Sequence, residues 1–151
     1  MTSRERVKAA LNHEPADRVV VDLGGMHCSG AHVSIISQLR QALGLDKPGD
    51  PVKVWDPYQM LGEIGLDLIE ALELDIVLAP GAKNMFGFEN TGWKPWTTFE
   101  GTNVLVPGKF NTEPDADGNI LQYPQGDNRP GPPAGCPKAV IISIPLFVRS
   151  L

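Results

Sequence analysis

The segment Gly24-Gly25-Met26-His27-Cys28-Ser29-Gly30 places an imidazole, a thiol and a hydroxyl side by side between glycines that let a backbone approach a ligand closely. His27 can serve there as a general acid or as a hydrogen-bond donor. Two carboxylates, Asp22 and Asp56, close the short apolar runs 18–23 (RVVVDL) and 52–56 (VKVWD). At such a position a carboxylate either orients a substrate or accepts from the amides of the following turn. The candidate substrate-binding residues are therefore Gly24, Gly25, His27, Ser29 and Asp56, with no catalytic residue assigned.

Other patterns carry less. His27, Cys28 and His32 do not have the spacing of a tetrahedral zinc site, so no metal ligand is assigned. Gly24, Gly25 and Gly30 lack the G-x-G-x-x-G spacing and no Walker lysine follows them, which argues against a nucleotide site. Asp115-Ala116-Asp117-Gly118-Asn119 lacks the glutamate of a calcium loop and reads as a surface turn. Trp55, Trp93 and Trp96 either stack on a flat ligand or pack an edge of the core.

These residues need elements to hold them. Thr2-Ser3-Arg4-Glu5 has the form of a capping box, and Val7, Ala10 and Leu11 give the helix it opens an apolar stripe, which Pro15 stops. The run 18–23 reads as a buried strand. Val33, Ile36, Leu39 and Leu43 recur at helical steps before Gly44, the run 52–55 reads as a minimal strand, and Met60, Leu61, Ile64, Leu68, Ile69 and Leu72 predict a third helix. Residues 75–79 (DIVLA) read as another buried strand. Alternation of this kind predicts β/α units over 1–80, with chemistry on the loops 24–30, 56–59 and 80–84 that follow strands. Residues 81–135 predict an irregular antiparallel β excursion, because nine of the fourteen prolines and nine of the sixteen glycines fall in 80–137. An Asp117-Gly118 turn is expected to join a hairpin there.

Composition bounds the rest. The 151 residues are 42% hydrophobic and 21% charged, which fits one globular domain and excludes disorder throughout. Thirteen basic against eighteen acidic residues, a formal charge of -5, leave no electrostatic footprint for nucleic acid. The apolar run 139–148 is about half of the ~20 residues a membrane span requires, and Pro145 interrupts it. With no leader-like pattern at the start, a cytoplasmic location is expected. Cys28 and Cys136 are too far apart in sequence for a disulfide framework and read as free thiols.

In order, the opening Thr2 to Val7, then Ala10-Leu11-Asn12-His13-Glu14-Pro15 and Asp17-Arg18-Val19, then Gly24-Gly25 and Ser29-Gly30, resemble the start of uroporphyrinogen-decarboxylase-like proteins. Val54-Trp55-Asp56 with Gln59-Met60-Leu61, Leu74-Asp75-Ile76-Val77, Trp93-Lys94 with Trp96-Thr97, and Asp117-Gly118-Asn119 extend the resemblance to about residue 135. It implies an α/β fold, the first units of a (β/α)8 barrel, a fold that takes ~250 residues when complete. It also implies one of two chemistries: porphyrinogen decarboxylation, or methyl transfer between corrinoids and thiols or folates, with a small molecule or a corrinoid protein as substrate.

The details favour the second. True decarboxylases carry an Arg-Gln-Ala-Gly-Arg loop after the first strand, suited to a substrate with many carboxylates, where this chain has the arginine-free 24–30 loop. They also place an aspartate where this chain reads Leu78-Ala79-Pro80-Gly81-Ala82. The methyltransferase branch fits better, but its zinc ligands belong to the carboxy-terminal half, so corrinoid and zinc are expectations for full-length relatives alone. Residues 136–151 depart from the family pattern after Gly135 and leave two readings open, a closing strand or out-of-frame sequence. On this reading the chain is a truncated, inactive enzyme portion that can associate with a missing barrel half; the alternative is a non-catalytic β/α binding module.

Overall fold

In a computed structural model the described residues are 1–110, together with the backbone of two short strands at 120–122 and 140–142. The capping box forms: the Glu5 amide donates to Thr2 Oγ1 at 3.3 Å and the Thr2 amide donates to Glu5 Oε2 at 2.8 Å, opening α1 (Ser3–Leu11). Its inward face is not the expected stripe. Arg6 and Ala9 are buried while Leu11 is exposed, because Arg6 is drawn in by carboxylates rather than by apolar contact. After a single 3-10 turn at His27–Ser29 comes α2 (Val33–Ala42), which buries Val33 and Ile36 and ends at Gly44, whose φ of +70° suits a residue without a Cβ.

The main sheet has the order β2-β1-β4-β3. At its centre β1 (Val52–Asp56) runs parallel to β4 (Asn103–Val106), with Val52 opposite Val104 and Lys53 opposite Leu105. The short β2 (Leu61–Gly62) pairs antiparallel with β1, and β3 (Lys94–Thr97) pairs antiparallel with β4. The fold is thus mixed α/β, and the β3–β4 hairpin meets the expectation of antiparallel pairing beyond residue 80. A second sheet pairs β5 (Ile120–Gln122) antiparallel with β6 (Val140–Ile142). The expected Asp117-Gly118 turn lies outside the described residues. Val54, Val104, Val106, Ile36, Leu68 and Phe88 meet in one core between the sheet and α2 and α3 (Leu66–Ala71).

Three further sequence expectations fail, each for a physical reason. The third helix is shorter than its periodicity: Met60 adopts a positive φ of 54°, Leu61–Gly62 joins the sheet, and the helix begins only after Gly65. The runs 18–23 and 75–79 are not buried strands. Val19 and Val77 stand exposed, and the backbone contact between the two runs is limited to the Asp75 amide donating to the Val21 carbonyl at 2.9 Å, beside which the Val21 amide donates to Asp75 Oδ2 at 3.0 Å. A β-branched run becomes a strand only where a neighbouring backbone completes a ladder, and the described residues offer these two none.

Charge holds those segments instead. The Asp75 side chain is fully buried and accepts from Arg6 and from Arg18, while Arg6 also grips Asp17 at 2.7 Å. The Val21 amide, Arg6 and Arg18 hold the Asp75 carboxyl at about 2, below the ordinary 3.8, and the Arg6 guanidinium with the amino terminus holds Asp17 lower than usual as well. Both folded-state values are depressed, so the stability they contribute is fully present above about pH 3.8 and is lost as pH falls toward 2. An acid titration followed by near-ultraviolet circular dichroism is expected to show the tertiary signal collapsing in that window, and a signal unchanged at pH 2 would contradict the network's role.

Candidate functional site

The loop from Gly24 to Gly30 is folded back on itself. The Gly24 amide donates to the Ser29 carbonyl at 2.9 Å, and the Ser29 hydroxyl both donates to the Met26 carbonyl and accepts from the Met26 amide, each at 3.2 Å. Gly24 has a φ of +77° and a Cβ there would lie 2.5 Å from Ile64 Cγ1; at Gly25 it would lie 2.4 Å from Ile76 Cγ2. These two glycines let the loop press against its neighbours, and Ser29 fastens the turn. Asp22 Oδ1 accepts from the Gly25 amide at 2.8 Å, which is the turn role.

What the loop presents is His27. Its ring lies over Trp55 with centroids 4.7 Å apart, and its Nε2 stands 3.6 Å from Asp56 Oδ2. Asp56, the last residue of β1, is 1% exposed. Its Oδ1 accepts from the Tyr58 amide at 2.9 Å, so one oxygen performs the turn role, while Oδ2 is buried without a hydrogen-bond partner among the described residues. Trp55 Nε1 is likewise buried and has no partner among the described residues. Buried polar atoms normally find partners, and an unmade bond there costs about 1–3 kcal/mol. Both residues line a cleft of about 200 Å³, closed on its other side by Pro80, Lys83, Asn84 and Asn90.

The far wall is built by a clip between two asparagines. Asn84 Nδ2 donates to Asn90 Oδ1 at 2.9 Å, Asn84 Oδ1 accepts from the Phe86 amide at 3.0 Å, and Asn90 Nδ2 donates to the Trp55 carbonyl. Phe86 and Phe88, stacked with centroids 6.2 Å apart, anchor the wall in the core. The loop 80–84 was expected to carry chemistry, and Lys83 and Asn84 are the residues it brings. The signal for Asn90 was weak, an asparagine two residues past a buried aromatic.

No family model, curated protein or solved structure matches the chain. Of the candidate residues, His27 and Asp56 come together at the cleft, whereas Gly24, Gly25 and Ser29 shape the loop that delivers His27. Cys28 is exposed and is not among the residues lining the cleft. His32 caps α2, its Nδ1 meeting the Ser34 hydroxyl. Trp93 lies under Lys53 Nζ at 5.4 Å, and Trp96 packs edge-on against Phe99 and Phe110, so Trp55 is the tryptophan that faces the cleft.

Among the described residues no three His, Cys, Asp or Glu side chains group as metal ligands. No helix among the described residues is long and apolar enough to cross a membrane. A second cleft of about 220 Å³ is lined by Arg40, Asp46, Lys53, Glu63 and Asp67, which pair among themselves: Arg40 with Asp46 and Asp67, and Lys53 with Glu63. Asp46 and then Asp67 raise the Arg40 guanidinium further above its ordinary value.

Proposed function

We propose that the chain supplies the opening β/α units of a uroporphyrinogen-decarboxylase-like barrel, on the corrinoid methyltransferase branch, and that the cleft at the end of β1 is its small-molecule side. The observation that carries this reading is Asp56: a buried carboxylate with one free oxygen, facing a loop imidazole, at the carboxyl end of a strand with a parallel neighbour. That end of a parallel sheet is where β/α folds place their ligands. Val19, Val21 and Val77, exposed in the runs 18–23 and 75–79, support the barrel, because further strands would cover them and complete the ladders. Those strands would come from sequence outside these runs, and the chain alone is expected to bind without turning over.

Charge in the cleft supports the branch. Lys83 is the one permanently charged cation among its described lining residues, and the same lining includes the buried carboxylate of Asp56. A substrate with many carboxylates would meet repulsion from Asp56 and little to offset it. A corrinoid, presented as substrate by a partner protein, would lie across the cleft mouth, where the half-exposed His27 is the first polar group it meets.

Two titrations test the reading, with tryptophan fluorescence as the signal. Methylcobalamin is expected to quench the wild-type chain saturably, and His27→Ala to weaken that binding by about tenfold. Uroporphyrin I is expected to give no saturable quench. Saturable uroporphyrin binding, or corrinoid binding indifferent to His27, would overturn it.

A further inference from the structure

Two residues lining the cleft carry buried polar atoms that lack hydrogen-bond partners among the described residues and are of opposite character. Asp56 Oδ2 is an acceptor bearing negative charge, on a residue 1% exposed; Trp55 Nε1 is a donor, on a residue 8% exposed. Lys83 adds a cation to the same cleft and forms no ion pair among the described residues. The asparagines do not compete for these groups, since Asn84 and Asn90 spend their amides on each other, on Phe86 and on the Trp55 carbonyl. His27 Nε2 stands 3.6 Å from Asp56 Oδ2, beyond hydrogen-bond distance.

We propose that this cleft binds a compact zwitterion, whose ammonium group donates to Asp56 Oδ2 and whose anionic group accepts from Trp55 Nε1 and Lys83. The inference rests on reading the cleft as a ligand site and is independent of the corrinoid branch. Each end of such a ligand meets a group that is otherwise unsatisfied, whereas a simple anion would be repelled by Asp56 and a simple amine would leave the indole N–H and Lys83 unmatched. His27 sits over both anchors on a short turn with half its side chain exposed. It is the group that yields when a ligand enters, so the cleft need not be remade to admit one.

The test uses glycine, β-alanine and γ-aminobutyrate as a length series, with methylammonium and acetate as single-charge controls. Binding is read from the Trp55 indole N–H resonance of the nitrogen-15-labelled chain, assigned by its disappearance in Trp55→Phe. One member of the series is expected to shift that resonance saturably and at least about tenfold more tightly than either control. Asp56→Asn keeps the acceptor for the Tyr58 amide and so preserves the turn, but is expected to weaken binding by about tenfold or more. Lys83→Ala, on an exposed residue, is expected to bring the zwitterion down to the level of methylammonium. If none of the series shifts the resonance, or if acetate binds as tightly as the best zwitterion, the proposal is overturned, and ordered water alone satisfies the two atoms. Loss of this binding with the methylcobalamin response intact would remove this inference and leave the functional reading standing; the converse would remove only the corrinoid assignment.

Discussion

Replacing Asp75 with alanine is expected to abolish the cooperative urea transition of the chain. The carboxylate is fully buried and is the one group that joins α1, the 18–23 run and the 75–79 run, through Arg6, Arg18 and the Val21 amide. Without it the Arg6 guanidinium, whose side chain is 7% exposed, keeps only Asp17 and the Met1 carbonyl, and the Val21 amide loses its acceptor. Removing one partner of a buried pair is far more damaging than never having had the pair, because the remaining charge is left desolvated. Asp75→Asn, which keeps the acceptor for Val21 but not the charge, should fall between the two. An alanine variant that unfolds at the wild-type urea midpoint would refute this assignment.

Phe88→Ala is expected to cost about 3–5 kcal/mol, the usual penalty for deleting a buried aromatic ring. That is a large share of the ~5–15 kcal/mol by which domains are ordinarily stable. Phe88 is 2% exposed, packs against Phe86, and its carbonyl accepts from the Asn84 amide at 2.9 Å, so the cavity would open directly behind the cleft wall. Met85→Ala on the same segment is the control. Met85 is 65% exposed, and its loss should change stability by no more than about 0.5 kcal/mol. Equal effects at the two positions, measured by urea unfolding, would mean that the wall is not anchored in the core.

How far the residues announced this arrangement depends on the range of the interactions involved. The capping box at Thr2 and Glu5, the stop at Gly44 and the strand ending at Asp56 are local devices, legible because their partners lie within a few residues. His27 and Asp56 were legible as separate site candidates. Their meeting over Trp55 was not, because it depends on Gly24 and Gly25 pressing the loop against Ile64 and Ile76, contacts between distant parts of the chain. The runs 18–23 and 75–79 misled for the complementary reason. Their residues favour strands, but a strand is a property of a pair, and the competing claim on the Val21 amide came from the Asp75 side chain, fifty-four positions away. Arg6 misled the reading of α1 in the same way, since a buried arginine is justified only by carboxylates that the helix itself does not contain.

The central claim, that Asp56 anchors a ligand in the cleft at the end of β1, is tested most directly by a crystal structure of the chain with the tightest member of the amino-acid series. The account predicts the ligand's ammonium nitrogen at about 3 Å from Asp56 Oδ2, with the His27 ring turned away from its place over Trp55. A water molecule at that oxygen with His27 unmoved, and the added compound elsewhere or absent, would contradict it.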